Sequence, residues 1–157
     1  MPSPEEALKM IGSLTDQEVV SDLGASYVYL TSQSMVRKDR IGIVGFCSGG
    51  SQAFLYATEN PDLKAAVIFY GSAPSEAALT KIQCPVLGNY GELDERISSG
   101  VPATAAAMQR LGKRFDYKIY PNAPHAFFHD VRPERYNEAA ANDAWQRTIQ
   151  FFRENLG

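Results

Sequence analysis

The chain has 157 residues, 45% of them apolar, which is enough for one sizeable core and short for two. A net charge of -3 and a pI near 5.4, with no cluster of Lys or Arg, exclude the electrostatic footprint of a nucleic-acid binder. The longest apolar runs are strand-sized, far below the roughly 20 residues of a membrane span, and the N-terminus has no signal-peptide pattern. One cytoplasmic domain over residues 1–157 is expected, with neither nucleic acid nor membrane as partner.

In chain order, Ser3-Pro4-Glu5-Glu6 is a capping box with proline at the first helical position, which predicts a short helix ending near Ile11 and Gly12. Thr15-Asp16-Gln17-Glu18 repeats the device, with Leu14 and Val19 placed for a hydrophobic staple and Val19, Leu23, Tyr27 and Leu30 on one helix face. Four apolar runs then read as strands, at residues 40–46, 65–70, 86–90 and 116–120. Helical segments alternate with them at 48–59, within 75–81, at 102–111 and at 137–155, the signature of parallel βα units. Ala66-Val67-Ile68-Phe69 is apolar on both faces, as a strand covered by helices on each side should be. In the last helix Ala141, Trp145, Ile149 and Phe152 form the expected buried stripe.

The chemistry sits at the strand ends, because an open parallel sheet binds its ligand beyond the carboxyl edges of its strands. Gly45-Phe46-Cys47-Ser48-Gly49-Gly50 joins a β-branched run to a helical one, so Cys47 stands on a strand-to-helix elbow whose glycines permit the turn. A thiol there faces the helix N-terminus, which favours the thiolate. Gly71-Ser72 follows the second strand, Glu92 and Asp94 the third, and His125 the fourth. A nucleophile, an acid and a base thus occur in the order Cys47, Asp94, His125, with His125 to take the thiol proton and Asp94 to hold the imidazole tautomer. Taken singly, Asp94 also reads as a turn carboxylate and His125 as a loop histidine. Cys47 and Cys84 open an elbow and a strand, so both are expected to be free thiols.

The segments Gly45-Phe46-Cys47-Ser48-Gly49-Gly50, Phe69-Tyr70-Gly71, Pro85-Val86-Leu87-Gly88, Gly91-Glu92-Leu93-Asp94 and Tyr120-Pro121-Asn122-Ala123-Pro124-His125-Ala126-Phe127-Phe128 together resemble the dienelactone hydrolase family of the α/β-hydrolase fold. The resemblance runs from about Val20 to Leu156. It implies a Cys-His-Asp triad of Cys47, His125 and Asp94, a small ester or lactone as substrate, an acyl-cysteine intermediate, and no metal or organic cofactor. It also implies an oxyanion contact from the backbone N–H of Ser48.

Members of that family carry a further segment with the early strands of the sheet, so the expected architecture here is an N-terminally shortened α/β-hydrolase fold with about four parallel strands. Two features go with that segment: the loop donating the second oxyanion N–H, and an acidic residue that contacts the resting thiol in the founding lactone hydrolases. His129 stands where lactone hydrolases that prefer carboxylated substrates have arginine, and Arg132 and Arg135 read as solvated loop charges. The strand at 40–46 would lose one neighbour, which predicts a homodimer covering that edge by strand pairing or by the N-terminal helices. An alternative function is a catalytically inactive binding module or subunit of the same fold. A peroxide-sensing thiol ranks third, since Cys84 opens its strand at the end away from Cys47.

Overall fold

The computed structural model describes residues 3–157. Its elements are α1 (Pro4–Ser13), α2 (Asp16–Ser32), β1 (Gly42–Phe46), α3 (Ser48–Glu59), β2 (Ala65–Phe69), α4 (Glu76–Leu79), β3 (Val86–Gly91), α5 (Glu95–Ser98), α6 (Val101–Arg110), β4 (Phe115–Tyr120) and α7 (Glu138–Leu156). The four strands form one parallel sheet in the order β1-β2-β3-β4. Both expected capping boxes are present: Glu6 N–H donates to Ser3 Oγ at 3.2 Å, and Glu18 N–H to Thr15 Oγ1 at 3.3 Å. Each closes a helix start that would otherwise leave its first amides unpaired.

Helices cover both faces of the sheet. On one face Phe54 and Ala57 of α3 pack with Ala66, Ile68 and Val86 of the strands and with Leu79, Ile82 and Met108 beyond them. On the other, Ala140, Ala144 and Phe151 of α7 pack on Val67, Phe69 and Leu87, together with Phe127. Full burial of each large apolar side chain contributes about 1.5–3 kcal/mol, so these two layers hold the strand ends in fixed relative positions. The register aligns those ends: Phe46 lies opposite Phe69, Phe69 opposite Asn89, and Gly91 opposite Tyr120.

Three expectations change. The buried stripe of α7 is Ala140, Ala144, Thr148 and Phe151 together with Ala141, while Trp145 is 45% exposed and leans on Phe128 with ring centroids 5.8 Å apart. Small alanines let the helix lie close to the sheet, and a Trp facing inward would force it away. Leu30 leaves the α2 face it was expected to share, being exposed where Val19, Leu23 and Tyr27 turn inward. The first helix runs past Gly12 to Ser13, and the short α5 adds a turn after Asp94.

The sheet has two free edges of different character. β4 carries Asp116 and Lys118 on its edge, and Arg114 pairs with Asp116 at 2.8 Å. β1 is Gly42-Ile43-Val44-Gly45-Phe46, without a charge, and Val44 is 40% exposed. Charges keep strand edges from pairing with other chains, so β4 is guarded and β1 is open.

The elbow after β1 is packed backbone to backbone. A Cβ on Gly45 would stand 1.9 Å from the carbonyl oxygen of Gly49, whereas one on Gly49 would meet nothing within 4 Å. Gly45→Ala is expected to lower stability by at least about 1–3 kcal/mol, the usual cost of overpacking, whereas Gly49→Ala should shift it by less than about 1 kcal/mol. Thermal or denaturant midpoints of the two variants check this, and equal midpoints would contradict the packing described.

Candidate active site

Cys47 holds φ 54 and ψ -123 at the N-cap of α3. A positive φ on a residue with a side chain costs about 1–3 kcal/mol and persists only where the surroundings enforce it. Here the Cys47 N–H donates to Phe69 O at 3.1 Å, and Cys47 O accepts from the N–H groups of Gly50 and Ser51 at 3.0 and 3.2 Å. Those bonds hold the residue at the crest of the turn. The amides of Ser48 and Gly49 lie in the first helical turn, where no intrahelical acceptor reaches them. The Ser48 N–H, at the first position of α3, is thus left without an intrahelical acceptor.

Asp94 and His125 are in direct contact, with His125 Nδ1 2.5 Å from Asp94 Oδ2. An ionised carboxylate only accepts, so Nδ1 carries the proton and Nε2 remains as the basic nitrogen. Asp94 is 7% exposed and occupies the N-cap position of α5, yet its side chain makes no capping bond. Its carboxylate contacts the imidazole and is buried within the turn after β3. Glu92, the other acid after β3, instead accepts the Asn122 N–H at 2.9 Å.

Backbone bonds fix these loops to one another. Glu92 N–H donates to Tyr120 O and Leu93 N–H to Ala123 O, each at 3.0 Å. Gly91 is required there, because a Cβ would stand 2.4 Å from Ala123 O. Asn122 and Ala126, on either side of His125, both have positive φ, at 55 and 63. His125 thus sits on a tight turn that the loop after β3 holds in place.

Cys47 reaches the same rim, packing against the cluster that contains Tyr70, Ala126 and Phe127. Among the described residues no hydrogen bond joins its sulfur to His125, and Cys47 is a free thiol. Tyr70 leaves the strand end next to Cys47, and its ring centroid lies 5.1 Å from that of His125. Sequence reasoning had noted Tyr70 only within a motif; an aromatic residue directly before Gly71-Ser72 at a strand end was the available signal.

Burial pushes the Cys47 thiol above its ordinary pKa, against the charge of Arg135; the Asp94 carboxylate adds to the rise, and Arg96 opposes it. Burial thus works against the pull of the helix N-terminus on this thiol. Arg132 and Arg135 lie on the exposed segment before α7, though the charge of Arg135 is felt at the sulfur. Beyond the ends of β2 and β3 a cleft of about 260 Å³ opens, lined by Gly71, Ser72, Pro74, Arg96, Ile97 and Val101 among others. Among the described residues no cluster of His, Cys, Asp or Glu is arranged to hold a metal ion. No described helix is long and apolar enough to cross a membrane.

A thiol raised by burial stays protonated at neutral pH. Alkylation of Cys47 by iodoacetamide, followed by mass spectrometry, should therefore be slower at pH 7 than that of a small free thiol. Its pH midpoint should lie above the ordinary value of about 8.5. A midpoint below 7 would mean that a thiolate already exists at rest.

Comparison with known proteins places these features in context. A protein of Saccharolobus solfataricus, provisionally named a carboxymethylenebutenolidase, is 40% identical over 149 residues, covering 94% of this chain and 56% of its own length. A protein of Methylorubrum extorquens with the same provisional name is 35% identical over 157 residues, covering 93% of this chain and 54% of its own. The chain thus spans little more than half the length of these curated relatives. A provisionally named dienelactone hydrolase from Klebsiella pneumoniae subsp. pneumoniae has a TM-score of 0.84 at 32% identity, covering 91% of this chain and 63% of that one. A dienelactone-hydrolase-like promiscuous phosphotriesterase from metagenomic libraries, with a TM-score of 0.81 at 23% identity, shares the fold over 90% of this chain and 63% of that one. Residues 2–156 match the profile of the dienelactone hydrolase family, to which this α/β-hydrolase-fold chain belongs.

Proposed function

We propose that the chain hydrolyses small esters or lactones through Cys47, His125 and Asp94. The observation that carries the reading is the 2.5 Å contact between Asp94 and His125 on the rim where the strained Cys47 stands. Because the thiol rests neutral, it needs a base at the moment of attack. Rotation of the Cys47 side chain toward Nε2 lets His125 take the proton as sulfur adds to the ester carbonyl. Asp94 stabilises the imidazolium formed. The Ser48 N–H donates a hydrogen bond to the developing oxyanion. Collapse breaks the C–O bond to the alcohol, the imidazolium returns its proton to that oxygen, and a thioester remains on Cys47. Water, deprotonated by His125, then releases the acid and restores the thiol. No step calls on a metal or organic cofactor.

Intact-mass measurement with p-nitrophenyl acetate is the test. An added acetyl group should appear on the wild type and be absent from Cys47→Ala, and His125→Ala should slow its appearance by about 10²- to 10⁴-fold. No adduct on the wild type would refute the hydrolase reading.

The second oxyanion donor of this fold comes from a loop on the far side of the nucleophile strand, which here is the open side of β1. We also propose that a second copy of the chain covers that edge. The support is the contrast between the guarded β4 and the uncharged, exposed β1, whose five residues suit antiparallel pairing about a two-fold axis. Sedimentation velocity at micromolar concentration should give a dimer that Val44→Lys dissociates. A monodisperse wild-type monomer would contradict it.

A further inference from the structure

Tyr70 is the side chain at this rim that the mechanism above leaves without a task. It follows Phe69 at the end of β2 and has φ 42, a backbone conformation that is a genuine outlier for a bulky residue. Neither neighbour explains it as a turn requirement, since Tyr70 N–H still donates to Asn89 O at 2.8 Å in continuation of the ladder. Strain of this kind at a ligand rim is sustained when it aims a side chain. The ring is wedged in an aromatic cluster, with centroids 5.1 Å from His125 and 5.4 Å from Phe127, in each case edge to face. Tyr70 is only 3% exposed.

The hydroxyl stands apart from this packing. It makes no hydrogen bond among the described residues, whereas Tyr120, the tyrosine at the end of β4, donates its hydroxyl to Asp143 at 2.8 Å. Nor is it sealed from solvent: the buried polar atoms without a partner among the described residues are Asn89 Nδ2 and Arg147 Nη1. A buried phenol with an unpaired, accessible hydroxyl leaves one donor open at the rim shared by Cys47 and His125. Burial holds the phenol well above its ordinary pKa, with the neighbouring Cys47 adding to the rise, so it keeps its proton.

We propose that the Tyr70 hydroxyl donates a hydrogen bond to the leaving-group oxygen of the ester bound at Cys47. The assignment rests on the reading of Cys47 as nucleophile. It follows from the contact of the Tyr70 ring with His125, whose imidazolium must protonate the departing alcohol. As the C–O bond breaks, the imidazolium transfers to the alkoxide the proton taken from the thiol. The phenol stabilises the charge on that oxygen and remains protonated throughout. The task is one of hydrogen bonding, and the ring contact with His125 is preserved when the oxygen alone is removed.

Tyr70→Phe deletes that oxygen and leaves the ring and backbone as they are. Rates of Cys47 acylation by a methyl ester and by the p-nitrophenyl ester of the same acid separate the roles, because p-nitrophenolate departs without help. The variant should acylate about 10- to 100-fold more slowly with the methyl ester, the range of one hydrogen bond to a developing charge, and within about threefold of wild type with the p-nitrophenyl ester. An equal loss on both esters, or no loss on either, would overturn the Tyr70 assignment while leaving Cys47 as nucleophile. Absence of any Cys47 adduct in the wild type would overturn both.

Discussion

The contact between Asp94 and His125 is the constraint on which the site depends. These residues are 31 positions apart and come from loops after different strands, so their 2.5 Å approach requires β3 and β4 to end at the same level. Parallel pairing with Gly91 opposite Tyr120 provides that level. The loops then brace each other through Glu92, Leu93, Asn122 and Ala123, so the imidazole is held from below by backbone and from the side by a carboxylate. A ring fixed at Nδ1 presents Nε2 in one direction, which a solvent-exposed loop histidine does not.

Cys47 meets this pair from the other half of the sheet under different physics. Its position is enforced by the tight approach of Gly45 to Gly49 and by the crest of the elbow, while burial keeps its proton in place. Two influences oppose each other: a helix N-terminus draws a thiol toward ionisation, and desolvation resists it. With burial holding the proton on the sulfur, the proposed reaction needs the imidazole to activate the thiol. In that reading nucleophilicity arises when substrate and base are assembled, and Asp94 has a purpose that a free thiolate would not require.

Much of this was legible in the chain because local pattern and tertiary need agree there. The helix at Ser48–Glu59 follows from its elbow glycines and apolar spacing, and the strands from β-branched runs too short for helices. The rim residues Cys47, Asp94 and His125 were legible because a parallel sheet converts "just after a strand" into "on the same edge". What escaped was decided by packing. The inward face of α7 is rotated by one residue from the Trp145 stripe because the sheet accepts Ala140 and Ala144 at close range, a fact about the partner surface. Tyr70 escaped because its distinction is a backbone angle.

The most direct measurement is a double-mutant cycle on the rate of Cys47 acylation, using His125→Ala, Asp94→Ala and the combined variant. If Asp94 acts solely through the imidazole it touches, its removal has nothing left to disturb once His125 is gone, and the double variant should acylate as slowly as His125→Ala alone. Losses that multiply would show that the carboxylate and the imidazole work independently, and the account built on their contact would fail.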